Sequence, residues 1–384
     1  MFVEIHMLQN FSPSNLNRDD TGSPKDCEFG GYRRARISSQ CQKRAIRMAF
    51  ETGELLPPSA LGLRTKRVVN AIVQQLSDLG REPEDSRRIA ESVLTGIGLG
   101  VSEDQTEYLL FLGRDEIEFF TRVCDDHWDT LSSLTSSGQS GKKAAKAGLP
   151  KDVSAALAGS LDGRKAADVA LFGRMLADMP IKNRDAASQV AHAISTNRLD
   201  ADFDFFTAVD DLKTREEDAG AGMLGTVEFN SSCFYRYANI DLRQLLQNLG
   251  EDEEMAKATI QAFLRAAISA VPTGKQNSFA AQNPPSMVFV VLRNGGLWSL
   301  ANAFVKPVHP SKETDLIGES VKRLDDYWRR LTEMYGEKGV AVRAIAIDSG
   351  YADRLTTLDS DRVAGVDALV DRVLGGLSLA SSKA

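Results

Sequence analysis

Residues 15–50 read NLNRDDTGSPKDCEFGGYRRARISSQCQKRAIRMAF, and between Arg33 and Arg47 they carry six basic side chains (Arg33, Arg34, Arg36, Lys43, Arg44, Arg47) and no acidic one. The whole chain has a formal net charge of -7, so a local excess of cations needs a reason. Tyr32–Ile37 alternates; as an extended segment it sets Arg34 and Arg36 on one face and Arg33, Ala35 and Ile37 on the other. Ser39 with Gln42 three residues on reads as a capping box that opens a helix, and Gly53 is placed to end it. On that helix Gln40, Lys43, Arg44 and Arg47 follow an i, i+3, i+4, i+7 spacing, with Cys41, Ala45, Met48 and Ala49 opposite. A cationic stripe that begins at a helix N-terminus suits anions such as successive phosphates. A solvated charged face is the plain alternative, though such faces ordinarily mix signs to gain i,i+4 pairs.

The bulk composition excludes several classes. A chain of 384 residues with 42% hydrophobic and 26% charged residues is an ordinary globular protein with a sizeable core. Excess acid argues against a free-standing non-specific nucleic-acid binder but not against a subunit with one basic groove. The N-terminus has no signal-peptide pattern and no window approaches a membrane span, so a cytoplasmic protein is expected. Cys27, Cys41, Cys124 and Cys233 show no CxxC spacing, which indicates neither a disulfide framework nor a thiolate metal site.

Along the chain, Phe2–Gln9 reads as a first strand that puts Val3, Ile5 and Met7 on one side. Helical spacing marks residues 65–79, 84–97 and a stretch opened by Asp115 with Glu118, carrying Ile117, Phe120, Cys124, Trp128 and Leu131. Ser132–Leu149 is linker-like, and Lys142, Lys143 and Lys146 there read as solubilising charges. Ala167–Met175 is an apolar run of ambiguous type, and Asp185–Asn197 reads as a helix. Phe203, Phe205 and Phe206, a charged glycine-rich turn through Gly220 and Gly222, and then Met223–Phe229 suggest a projecting β-hairpin. Strand 233–240, helix 252–270, loop 272–285, strand 287–292, an amphipathic helix over 317–331, strand 342–347 and helix 363–377 complete the order. This α+β order is compatible with a split β-α-β, ferredoxin-like arrangement interrupted by a helical insertion.

Asn15-Leu16-Asn17-Arg18-Asp19-Asp20, Pro24-Lys25-Asp26, Phe29-Gly30-Gly31, Arg33-Arg34-x-Arg36-x-Ser38-Ser39-Gln40 and Lys43-Arg44-x-x-Arg47 together resemble the N-terminal signature of the CasC family. These are the backbone subunits of the type I-E CRISPR Cascade complex. Gly173-Arg174-Met175, Ala191–Ile194, Phe206–Leu212, Phe234–Ile240 and Ala301–Phe304 resemble further family blocks in the family's order; the likeness thins between about Pro57 and Asp162 and after Asp348.

The resemblance implies an RRM-like palm formed by residues 1–60 and 231–384, helical fingers inserted at 61–199, and a β-hairpin thumb at 200–230. It implies that Arg18, Lys25, Ser38, Gln40, Lys43, Arg44 and Arg47, within the basic segment that also holds Arg34 and Arg36, line the CRISPR RNA backbone. Met175 would pack against bases. Phe205, Phe206, Val209 and Leu224 would wedge between bases or meet the next subunit. The implied partners are CRISPR RNA, target DNA paired to the guide, copies of the chain in a head-to-tail helical filament, and other Cascade subunits in antiviral defence. No cofactor is implied.

An enzyme reading must find its groups. His6, His127, His192 and His309 stand in unrelated contexts, with no nucleophile elbow, Walker A loop or HExxH pattern. Cys124-Asp125-Asp126-His127 looks like a metal cluster by composition but falls on an amphipathic helix. Asp19, Asp20, Asp200, Asp202, Asp204, Asp210 and Asp211 could in principle hold Mg²⁺ for phosphodiester hydrolysis. The alternative is therefore a metal-dependent endoribonuclease resembling the type III backbone subunits, whereas CasC-like proteins are regarded as non-catalytic.

Overall fold

The computed structural model describes residues 1–136, 148–161, 165–208 and 223–378. They form two compact units, one of Met1–Gly53, Gln189–Ile240 and Gln261–Ser378, the other including Glu54–Ser188 and Asp241–Ile260. The division that the resemblance implies assigns 241–260 to the C-terminal part of the palm instead. The architecture is mixed α/β.

The first unit is built on an antiparallel sheet. Its first strand, β1 (Phe2–Ser14), runs the length of a buried ridge. It pairs antiparallel with the strand Met287–Arg293, from Phe2 opposite Arg293 to Leu8 opposite Met287. That strand pairs in turn with the edge strand Val340–Ile347. On the other side of β1 lies the long strand Met223–Asp241, followed by Ala193–Ser195, then β3 (Tyr32–Ile37), then β2 (Asp26–Phe29). Residues 185–197 thus hold short strands where a helix was expected. Ala193–Ser195 is buried and sits between two neighbours, where ladder bonds to Phe234 and Tyr235 outweigh local helical spacing.

Both faces of β1 are covered. Val3, Ile5 and Met7 are buried as expected, but so are Glu4, His6 and Leu8 on the other side. Over the latter face Tyr235, Phe289, Phe304, Val321, Leu324 and Trp328 close one core, with the last three on the helix Leu316–Tyr335. Several of the polar groups within it are paired, while His6 Nε2 and Trp328 Nε1 have no hydrogen-bond partner among the described residues. Glu4 accepts from the Tyr237 hydroxyl (3.0 Å) and the Trp298 N–H (2.6 Å), and forms a buried ion pair with Arg293 (2.9 Å). His6 Nδ1 lies 2.9 Å from the Tyr235 hydroxyl, making it a structural histidine.

The second unit is mainly helical, with Val68–Asp78, Pro83–Gly96, Arg114–Asp126 and Trp128–Ser136 packing Ile72, Leu76, Val93, Leu94 and Phe120 into one core. The stretch opened by Asp115 is therefore two helices, and its cap is Gly113, whose N–H donates to Glu116 (2.7 Å). Glu116 also holds buried Arg174 at 2.8–2.9 Å, which explains the Gly173-Arg174 pair. The ambiguous run 167–175 is a helix over Ala167–Phe172, stopped at Gly173 with φ +78°, where a Cβ would lie 2.9 Å from the Arg184 carbonyl.

Burial pushes the His6 pKa down to about 3, with the Arg293 charge adding to the shift. The folded value lies below the ordinary 6.5, so the unfolded chain takes up the proton first as pH falls. The stabilisation is complete above pH 6.5 and is lost progressively down to about 3. The wild-type free energy of unfolding, read from urea titrations, should therefore fall more steeply across that window than that of His6→Gln, by up to about 1.4 kcal/mol per pH unit; parallel curves would show that His6 contributes nothing to acid sensitivity.

Candidate nucleic-acid interface

The helix that follows β3, α1 (Ser39–Thr52), ends at Gly53 as its sequence indicates. Its cap is Ser38 rather than Ser39. The Ser38 hydroxyl accepts from the Cys41 N–H (3.3 Å), while the Ser38 N–H donates to Asn17 Oδ1 (2.8 Å). Gln42 lies one position too far along to close a box and is buried instead. It donates to the Ala191 carbonyl (2.7 Å) and accepts from Arg236, which also reaches Gln9 Oε1 (2.6 Å) and the Ala267 carbonyl (2.8 Å). Gln42, Ile46 and Phe50 form the buried face. Gln40 and Arg44 are exposed, with Lys43 and Arg47 half-buried on the flank, and no acidic residue occupies the first turn. Met48, expected on the core side, is exposed. Partial burial lowers the Lys43 pKa.

One member of the cationic set has to be reassigned. Arg34 is fully buried. Its guanidinium donates to the carbonyls of Ser195 and Thr196 (both 2.9 Å), Phe304 (2.7 Å) and Val305 (3.1 Å). A side chain so engaged cannot meet a nucleic-acid phosphate, and Arg34 leaves the RNA-binding set. Ser38 is likewise buried as a cap. Arg33 is paired with Asp26. Arg36 is half-buried: its Nε donates to the Asp26 carbonyl (3.0 Å) and its Nη1 lies 2.9 Å from His192 Nδ1. Burial, then the charges of Arg36 and Lys25, lower the His192 pKa, which keeps that ring neutral beside the cations.

The 15–25 loop stands against α1. Asn17 fixes it by accepting from Ser38 and, through its carbonyl, from the Lys25 N–H (2.8 Å). The Asp19 carboxylate accepts from the Thr21 N–H (2.9 Å) and hydroxyl (2.8 Å) and from the Ser23 N–H (3.0 Å), which closes a tight turn under Arg18. Asp19 therefore has a local structural task. Between this loop and α1 lies a cleft of ≈ 570 Å³ lined by Arg18, Asp19, Asp20, Arg44 and the segment Pro272–Gly274. Gly274 must be glycine, since a Cβ there would stand 2.2 Å from the Leu16 carbonyl. The adjoining Lys275 is a further candidate cation that reading the segment 272–285 as a plain loop passed over; the threonine-glycine-lysine run was its only sequence signal.

Phe203, Phe205 and Phe206 lie on the strand β10 (Asp202–Ala208), counting every strand of the described residues, and it pairs antiparallel with Met223–Phe229, from Asp202 opposite Phe229 to Ala208 opposite Met223. The hairpin arms are thus present. The three rings are 61%, 71% and 39% exposed, so they are not the core of a small subdomain within this chain. Strand alternation separates them: Phe203 and Phe205 share one face, while Phe206 lies over Gly225 on the other, 2.3 Å from where a Cβ would stand. Val209, Asp210 and Asp211, like Lys142, Lys143 and Lys146, lie outside the described residues; the Leu224 backbone pairs with Thr207. In the helical unit Met175 is 77% exposed, next to buried Arg174 and to Leu176, whose N–H donates to Asn183 Oδ1 (2.6 Å). Cys124 is buried, and among the described residues no group of three His, Cys, Asp or Glu is placed to hold a metal ion.

The sheet unit thus carries a cation-lined cleft beside α1 and a hairpin with exposed aromatic rings. The chain belongs to the family described as CT1975-like protein, whose model matches residues 3–372. A chain of "CRISPR RNA-guided surveillance complex, pre-nicking" is similar to it with TM-score 0.86 and 32% identity over 98% of this chain and 99% of that one. A chain of "CRISPR RNA-guided surveillance complex" is similar with TM-score 0.76 and 27% identity, over 98% and 100% respectively. The CasC-like signature agrees with both. No curated protein matches.

The reassignment of Arg34 separates two phenotypes. Arg34→Ala leaves several buried carbonyls without a donor and should cost on the order of 3 kcal/mol of stability. Arg44→Ala should leave the thermal midpoint within about 1 °C of wild type, since it removes an exposed side chain. Thermal unfolding of the two variants side by side checks this.

Proposed function

We propose that the chain is a CRISPR RNA-binding backbone subunit of a type I-E Cascade surveillance complex in the cytoplasm. Several copies line one guide head to tail and support its pairing with target DNA. The observation that carries the reading is the end-to-end likeness, at 32% identity, to a chain of an RNA-guided surveillance complex. In this reading the sheet unit is an RRM-like palm, the helical unit the fingers and the hairpin from β10 the thumb, and the subunit performs no catalytic step.

The chemistry of the interface supports it. Gln40, Lys43, Arg44 and Arg47 on α1, with Arg18, Lys25 and Arg36 beside them, offer donors to phosphates and little that reads base edges. That suits a protein which must accept any guide sequence. Phe205 and Phe206 on opposite faces, with Val209 and Leu224, provide apolar area that a hairpin cannot bury alone, so it goes to unstacked bases or to the next copy. Met175 supplies an exposed apolar tip on the fingers.

Removing one cation that neutralises a phosphate of single-stranded RNA should lower the slope of log K against log salt by ~0.7. Lys43→Ala, Arg44→Ala and Arg47→Ala should each show that drop and weaken all RNA sequences alike; unchanged slopes in all three would remove the phosphate-binding role.

Matched RNA incubated with the guide-loaded complex and Mg²⁺ should stay intact. Cutting that disappears in Asp210→Ala or Asp211→Ala would replace this reading with the type III-like endoribonuclease.

A further inference from the structure

We propose that the open end of the sheet's edge strand, at Val340–Arg343, receives an extended peptide segment of a partner protein, which adds to it as a further strand and sets a lysine or arginine against the Asp361 carboxylate. The site lies at the sheet edge opposite β2 and holds none of the residues assigned to RNA above, so it goes beyond the guide-binding reading and does not rest on it.

The second half of the strand Val340–Ile347 is closed off. Ala344–Ala346 are buried, and the Ile345 carbonyl, which points away from the sheet, accepts from the Val363 N–H (2.9 Å) where Ile345 bridges to Arg362. The first half is open. Among the described residues no strand pairs the outer side of Val340–Arg343, Ala341 is exposed, and Val340 and Val342 are only partly buried. Backbone groups alternate in direction along an antiparallel strand, so Arg343, two residues before Ile345, also turns its N–H and carbonyl outward. The open stretch is roughly 10 Å long at ~3.3 Å per residue. Such an edge is a template for strand addition unless a charge on it stands guard. Here the charge is Arg343, and it is neutralised by ion pairs to Glu337 and Asp361.

Beside the edge lies a cleft of ≈ 460 Å³, lined by Glu337, Arg343, Asp361 and Arg372 and closed by Gly375 and Gly376 at the end of the helix Val366–Gly375. That volume falls within the range of ligand pockets. Gly376 lets the helix end approach the strand, since a Cβ there would stand 2.4 Å from Val342 Cγ2. Asp361 is only 6% exposed. Arg343 Nε lies 2.8 Å from its Oδ2, yet among the described residues no donor meets that oxygen with hydrogen-bond geometry. Arg372 stands 3.7 Å from Oδ1, beyond hydrogen-bond range. Burial accordingly raises the Asp361 pKa against the opposing pull of Arg343 and Arg372. A buried carboxylate oxygen without a donor is costly, and an ammonium or guanidinium brought in by an added strand removes that cost. An acidic side chain in the same place would face Glu337 and Asp361 and be rejected.

The test uses the full-length chain and a fluorescein-labelled peptide of alternating threonine and valine with one central lysine. Two controls are the same peptide with glutamate for that lysine and the lysine peptide N-methylated throughout, which cannot pair as a strand. In fluorescence anisotropy the lysine peptide should bind wild type, the glutamate peptide roughly ten-fold or more weakly, and the N-methylated peptide not at all. Hydrogen exchange should show the Arg343 amide protected by the lysine peptide. Asp361→Asn should remove the preference for lysine over glutamate and keep that protection. Failure of the lysine peptide to bind wild type, equal binding of lysine and glutamate peptides, or binding without protection of Arg343 overturns the proposal. Self-association of the chain that protects the same amide without peptide assigns the edge to a second copy and overturns it as well.

Discussion

Arg34 donates its guanidinium to the main-chain carbonyls of Ser195, Thr196, Phe304 and Val305, and the cationic surface depends on that buried cluster of bonds. It ties β3 to two separate segments, so the strand that launches α1 is fixed at its base. Carbonyl dipoles replace the water that a buried cation loses, and removing the cation would leave those oxygens without donors. The neighbouring bonds from Gln42 and Arg236 do the same for the buried face of the helix. Polar contacts on the inner side thus set the direction of Gln40 and Arg44 on the outer side.

The run of cations from Arg33 to Arg47 consequently splits by task. Arg34 serves the fold, Arg33 is matched to Asp26, Arg36 is shared between a carbonyl and His192, and the α1 residues face outward or lie along the rim. The same holds for the acids: Asp19 and Glu4 are occupied by N–H and O–H donors, and the Glu116 carboxylate by buried Arg174.

Much of this was legible in the sequence. The extent of α1, the hairpin arms, the strand at 287 and the body of the long helix, read over 317–331 and observed over Leu316–Tyr335, follow from periodicity and turn residues. What failed did so for identifiable reasons. Ser38 and Ser39 are chemically equivalent caps, and only the Asn17 hydrogen bond, made across the loop, favours the first. Residues 185–197 have helical spacing yet lie between strands distant in sequence, information that no local window contains. Arg34 looks like its neighbours because its partners lie about 160 and 270 residues further on. Lys275 is set in place by Gly274 packed against the Leu16 carbonyl, a contact between segments distant in sequence.

The central position of β1 has a consequence for how the chain is made. Its partners are the strands beginning at Met223 and Met287, so β1 leaves the ribosome well before either strand it pairs with. At about 5–20 residues per second, synthesis of the intervening chain takes tens of seconds. Throughout that time a thirteen-residue strand carrying Val3, Ile5, Met7, Leu8 and Phe11 has both edges open. Its open edges are exposed to pairing with a neighbouring nascent chain for all of that time, and a slowed ribosome lengthens the exposure.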